Sequence, residues 1–307
     1  MKEFTFICIS YCQENLITEH LESIKRVISQ FGSGIENDLI VADDGSKDRT
    51  AEVAQEWIDC NRSLFRSAQV LPKAPNMGTV KNIYRAVDSC RTENFKILAG
   101  DDKYNCENIY ALYDSMNNEM VITPVIPFGE FNGKEKALIQ SFRRSYRLVM
   151  AYQHKNNLGE LILYRNYLFA PGIFIPSAYW RDTEVREMLS HFQYIEDTPM
   201  WMKLLYDRKI PVRFDSTPYI SYRVSAKQML DSTRSSAVRE KDDEAIRQLY
   251  PQRLLGKNKY AKPGYYRFIA RKTFYTYSKR YDNFFNTNPM VKKVYTDMLA
   301  GEKNAGN

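Results

Sequence analysis

The first hundred residues alternate four short apolar runs with three segments of helical spacing, and this alternation narrows the possible folds more than any other feature. The runs Phe4–Ile9, Asp38–Ala42, Ala68–Leu71 and Phe95–Ala99 are short and rich in β-branched and aromatic residues, which predicts buried strands. Between them, about Asn15 to Gln30, about Arg49 to Cys60 and about Thr79 to Ser89 carry apolar residues at helical spacing. Strand–helix alternation predicts an α/β fold with a mostly parallel, Rossmann-like central sheet flanked by helices. Such sheets bind ligands beyond the carboxyl ends of their strands. The polar clusters of this sequence fall at those ends.

Ser10-Tyr11-Cys12-Gln13-Glu14-Asn15 follows the first strand. A Tyr there can stack on a flat base and a Ser can bond its edge; a plain connecting loop would look the same. Asp43-Asp44-Gly45-Ser46-Lys47-Asp48-Arg49-Thr50 ends the second strand. Asp43 suits a uracil N–H or a ribose hydroxyl, whereas Asp48 suits turn and helix-cap chemistry. Asn76-Met77-Gly78-Thr79-Val80-Lys81-Asn82 opens a helix whose N–H groups, with Lys81, suit a phosphate; a capped helix with a solvated Lys fits nearly as well. Gly100-Asp101-Asp102 follows the fourth strand. Adjacent carboxylates at a buried strand end repel unless a cation joins them, and Mg²⁺ or Mn²⁺ is the hard ion that bridges carboxylate to diphosphate. Finally, Tyr194-Ile195-Glu196-Asp197-Thr198-Pro199-Met200-Trp201 sets an acidic pair before an apolar helix. A carboxylate there can take a proton from an acceptor hydroxyl or favour the helix dipole.

In order and spacing the clusters resemble the family 2 inverting glycosyltransferases of bacterial surface-polysaccharide type, which have a GT-A fold. The most specific correspondence is Asp43-Asp44-Gly45-Ser46 with Asp48 and Thr50. Ser10-Tyr11-Cys12-Gln13-Glu14, Asn76 with Gly78, Gly100-Asp101-Asp102 and Glu196-Asp197 complete it over roughly residues 4–225. The resemblance implies that Ser10, Tyr11, Glu14 and Asp43 belong to the nucleotide site, with Tyr11 and Asp43 on the base. It implies Lys81 near the diphosphate, Asp101 on the ribose, Asp102 on Mn²⁺ or Mg²⁺, and Asp197 as general base for a single inverting displacement. Arg223, in Ser221-Tyr222-Arg223, corresponds to a basic position near the diphosphate. The implied substrates are a nucleotide-sugar donor, UDP being the commonest nucleotide of the family, and a saccharide or lipid-diphosphate-linked acceptor. Many members have an Asp where this chain has Ala99, which shortens the acidic motif. The Gln-x-x-Arg-Trp motif of processive synthases is missing, which implies one sugar added per encounter. The expected division is a catalytic domain over 1–225, with a nucleotide-binding half over 1–104 and an acceptor half over 105–225. A helical, basic and aromatic region over 226–307 follows.

The chain's 307 residues are 44% hydrophobic and 26% charged, enough for a sizeable core. Aromatic residues at 13% serve either carbohydrate-lining surfaces or extra packing. The five cysteines are scattered, with no paired-cysteine motif, which points to a reducing compartment and away from a zinc site. With no signal-peptide pattern and no apolar run of about 20 residues, the expected location is cytoplasmic, or peripheral on the inner face of the membrane. The net charge of +7 suggests an anionic partner. Nine Lys or Arg and no acid lie between Pro251 and Tyr281. Such a segment suits an anionic membrane surface, or a solvated basic helix. A nucleic-acid partner is disfavoured because the strand-end acids would repel phosphates. A metal-dependent nucleotidyltransferase and a non-catalytic nucleotide-binding scaffold are the competing readings.

Overall fold

The computed structural model describes residues 1–131, 133, 135–154, 158–224, 237–251 and 288–293. Strands β1 (Glu3–Ser10), β2 (Glu36–Asp43), β3 (Ser67–Val70) and β4 (Phe95–Ala99) form one parallel sheet in the order β3-β2-β1-β4. Helices α1 (Ile17–Phe31), α2 (Thr50–Cys60) and α3 (Thr79–Ser89) make the crossovers. The predicted elements are thus present, with ends shifted by a residue or two. Helix α1 begins at Ile17 because the Gln13 carbonyl first accepts the N–H groups of Leu16 and Ile17, both at 2.9 Å, in a tight turn.

Successive residues of a strand face opposite sides of a sheet, and the central strand β1 shows the consequence. Phe4, Phe6 and Cys8 enter a core with Leu21, Ile24 and Ile58 from α1 and α2, whereas Ile7 enters another with Val80, Ile83 and Val87 from α3. Both faces are covered, which is why these strands read as continuous apolar runs rather than alternating ones. The first core holds much of the aromatic surplus. Phe4 and Phe6 meet edge-on at 5.0 Å, and Tyr104, Tyr110 and Tyr113 pack against them. The Tyr113 hydroxyl donates to the Phe95 carbonyl at 2.8 Å, so its polar end is satisfied in the interior.

The second half is built on smaller sheets. Strands β5 (Lys103–Tyr104), β7 (Val125–Gly129) and β10 (Ile220–Val224) form one in the order β5-β10-β7. Strands β6 (Met120–Ile122), β8 (Ile173–Phe174) and β9 (Val212–Phe214) form another in the order β8-β6-β9. Each contains one parallel and one antiparallel pair. Helices α4 (Ile109–Asp114), α5 (Glu135–His154), α6 (Leu158–Tyr164), α7 (Ala178–Arg181), α8 (Thr183–Leu189) and α9 (Asp197–Trp201) cover them, α9 running on as a wider π-helical turn to Asp207. The most apolar stretch of the sequence, Leu161 to Trp180, is divided among α6, β8 and α7. No described helix is long and apolar enough to cross a membrane. Beyond residue 225 the described elements are a helix at Ala237–Leu249 and a short one at Pro289–Lys292. Apart from Pro251, the basic segment to Tyr281 lies outside the described residues.

Candidate active site

Parallel pairing brings the sequence clusters to one sheet edge. Ser10 lies beside Asp43, and Ile9 beside Ala99, so the loops after β1, β2 and β4 leave the sheet at the same level. Asp43 is buried, and its carboxylate accepts the Ser46 N–H at 2.8 Å, the Ser46 hydroxyl at 2.5 Å and the Ser10 hydroxyl at 3.3 Å. Asp44 turns the other way and accepts the N–H groups of Met77 and Gly78, at 2.8 and 2.9 Å. It thereby holds the Asn76–Gly78 loop against the end of β2. Gly78 has a φ of +90°, outside the range of ordinary L-residues. Tyr11, 45% exposed, stands at the rim, as a ring meant to stack on a flat ligand must.

Other cluster residues are committed locally. Glu14 accepts the Arg49 N–H at 2.9 Å, and Asp48 accepts the Thr50 N–H and hydroxyl and the Glu14 N–H. Together they close the turn into α2. Lys81 is exposed on the first turn of α3.

The acidic loop after β4 is fixed from three sides. The Arg223 N–H donates to Asp102 Oδ1 at 2.8 Å, and the Arg223 Nε donates to the Asp101 carbonyl at 2.8 Å. His20 of α1 places Nδ1 2.8 Å from the Asp102 carbonyl. A carbonyl only accepts, so Nδ1 carries the proton. Burial lowers this imidazole to about 4, which keeps it neutral. The Arg223 guanidinium lies over the Phe128 ring at 4.3 Å and pairs with Glu19, so it is occupied with holding the loop to α1. Neighbouring Tyr222, on the opposite face of β10, turns toward Asp102, Asp101 and Asp197; burial and then these carboxylates push its hydroxyl up to about 12.

Asp102 is only 3% exposed. Burial, and then the charge of Asp101, raise its carboxyl well above the usual range, although Arg223 and Lys96 oppose the rise. Two clustered carboxylates so placed are short of positive charge, and a divalent ion supplies it. Among the described residues no group of three or more His, Cys, Asp or Glu side chains gathers to hold a metal. A hard cation held by Asp101 and Asp102 would need its remaining oxygens from other donors, as magnesium commonly takes them from phosphate and water.

The opposite wall carries the second acidic pair at the start of α9. Asp197 accepts Asn166 Nδ2 at 2.8 Å, the Thr198 N–H at 2.5 Å and the Thr198 hydroxyl at 3.1 Å. Burial raises both carboxyls, and the charge of Asp197 raises Glu196 further. The bonds from Thr198 and Asn166 favour the charged form of Asp197. Burial and the charge of Asp197 thus push Glu196 up, while the bonds to Asp197 oppose the rise of its own carboxyl.

Both walls face one cavity of about 400 Å³, lined by Asp101, Asp102, Glu196, Asp197, Trp201 and Tyr222 among others. The structure therefore brings Asp101, Asp102 and Asp197 together in one space. Ser10, Tyr11 and Asp43 lie along the adjoining sheet edge, while Glu14, Lys81 and Arg223 are not part of the cavity lining. Sequence reasoning missed His20, Asn166 and Tyr222. Only Asn166 left a signal, as a polar interruption in the apolar stretch from Leu161.

The parallel sheet, with its acidic loop and the facing acidic pair, has the layout of a GT-A fold. Two solved structures of the TarS 1–349 fragment from S. aureus share this fold. The 1–349 fragment in complex with UDP-GlcNAc aligns at TM-score 0.54 and 15% identity, covering 100% of this chain and 82% of that one. The same fragment without a named ligand gives 0.51 and 14%, covering 98% and 83%. A longer TarS chain gives 0.47 and 15%, covering 81% of this chain, which spans 42% of that one. A comparison with curated proteins returned no match. The model of glycosyl transferase family 2 matches residues 6–192, more than half of the sequence, and the chain belongs to that family.

Proposed function

We propose that this chain is a non-processive, inverting glycosyltransferase that moves a sugar from a UDP-sugar to a hydroxyl of a saccharide or lipid-linked saccharide. The observation that carries this reading is the single cavity with Asp101 and Asp102 on one wall and the Glu196–Asp197 pair on the other. TarS, of the same fold, binds UDP-GlcNAc, which supports a uridine nucleotide as donor.

Asp43 and Tyr11 at the sheet edge receive the base, and Asp101 the ribose. Asp102, with Asp101 beside it, would hold Mn²⁺ or Mg²⁺, whose charge offsets that building on a departing diphosphate. Asp197 accepts the proton of the acceptor hydroxyl as that oxygen attacks the anomeric carbon. The electron pair of the breaking sugar–oxygen bond leaves with the diphosphate, and displacement from the opposite face inverts the centre. Asn166 and Thr198 fix the carboxylate that does this, and a base so placed is worth about 10²–10⁴ in rate.

Isotope-labelled sugar transfer from a panel of UDP-sugars, with UDP release followed in parallel, tests the reading. Release that depends on Asp197 supports it; equal turnover by Asp197→Asn removes the base from it.

A further inference from the structure

The helix Ala237–Leu249 lies beyond the residues matched by the family model, yet one of its side chains reaches the loop that leads into the Glu196–Asp197 pair. Its buried stripe is Asp242, Ile246 and Tyr250, spaced by four residues so that all three fall on one face. Ile246 and Tyr250 enter the larger apolar core. Asp242, 2% exposed, does something else. Its Oδ1 accepts the Gln193 N–H at 2.9 Å, and its Oδ2 accepts those of Tyr194 at 2.8 Å and Ile195 at 3.0 Å. Three consecutive amides thus converge on one carboxylate, and the next two residues are Glu196 and Asp197.

The same loop is fastened on its other side. The Val80 N–H donates to the Gln193 carbonyl at 3.1 Å, and the Tyr194 hydroxyl donates to Asn76 Oδ1 at 3.4 Å. These partners belong to the segment that Asp44 holds at the end of β2. Residues 193–195 therefore lie between the nucleotide-side loop and the C-terminal helix.

We propose that Asp242 is a positioning residue, which sets Asp197 at its working distance from the acceptor by gathering the amides of residues 193–195. The proposal rests on the reading of Asp197 as base. An Asn at 242 keeps one oxygen but turns an NH₂ toward amide donors, so the loop must shift. A displacement of about 1 Å at a reacting group can cost about 10²-fold in rate.

The test compares full-length Asp242→Asn, Asp242→Glu and Ile58→Ala, the last a core truncation in α2 remote from the loop. UDP release from the fastest donor of a UDP-sugar panel gives kcat and KM, and amide hydrogen exchange reports on residues 193–195. Expected for Asp242→Asn is a kcat lowered about 10- to 100-fold with donor KM within about twofold, and faster exchange at those three amides. Asp242→Glu, which keeps two acceptor oxygens, recovers part of the rate. Ile58→Ala, though as destabilised, keeps its kcat. Native kcat in Asp242→Asn, a loss no larger than that of Ile58→Ala, or unchanged exchange would overturn the proposal. Native turnover by Asp197→Asn would instead remove the base reading, and the exchange result would still report whether Asp242 holds the loop.

Discussion

At the scale of single residues, the proposed chemistry rests on the buried Asp102 and the half-buried Asp197. Three donated hydrogen bonds favour the charged form of Asp197, and on the proposed reading Asp197→Asn should retain UDP binding while lowering kcat by about 10²–10⁴. Burial raises the carboxyl of Asp197 above its ordinary value, and a base works only when deprotonated. The rate should therefore fall on the acid side at a pH above the ordinary carboxylate range. A pH–rate profile whose acid limb lies at or below that range would contradict the assignment. His20 makes a separate prediction about stability. Its folded pKa of about 4 lies below the ordinary 6.5, so between those values the unfolded chain binds the extra proton. Its contribution is present above pH 6.5 and lost as pH falls toward 4, by up to about 3 kcal/mol. Denaturant unfolding of the native protein and His20→Gln across this window should show a gap that narrows as pH falls.

At the scale of elements, the site depends on loops held by partners far away in sequence. The turn at Gly78 is an example, because a β-carbon there would come within 2.5 Å of the Gln193 carbonyl at a φ of +90°. Gly78→Ala should cost at least about 1–3 kcal/mol, read as a lower unfolding midpoint, and should weaken UDP binding by moving the loop that Asp44 holds. Much at this scale was legible in the sequence. The apolar runs and the helical spacing between them marked β1 to β4 and α1 to α3, because strands buried on both faces leave a continuous apolar signature. Less legible was the division of the second half among small sheets, since two-residue strands such as β5 and β8 carry no periodic signal. The side-chain commitments of Glu14 and Arg223 were equally hidden. Their motif positions point toward a nucleotide, but their bonds to Arg49 and Glu19 follow from which elements become neighbours. The same holds for Asp242, which lies 49 residues from its first partner.

At the scale of the whole molecule, two halves meet across a cavity, one with the sheet edge and acidic loop and the other with the base. The proposed inverting displacement uses this arrangement, because the acceptor oxygen must attack the anomeric carbon from the side opposite the departing diphosphate. On the proposed reading Asp102 serves the donor and Asp197 the acceptor, so their roles should separate by measurement. Isothermal titration of UDP into the full-length protein, with and without Mn²⁺, tests that separation most directly. The account predicts binding strengthened by Mn²⁺, loss of that strengthening in Asp102→Asn, and its retention in Asp197→Asn. No UDP binding under either condition, or an Asp102→Asn protein that responds to Mn²⁺ as the native one does, would contradict it.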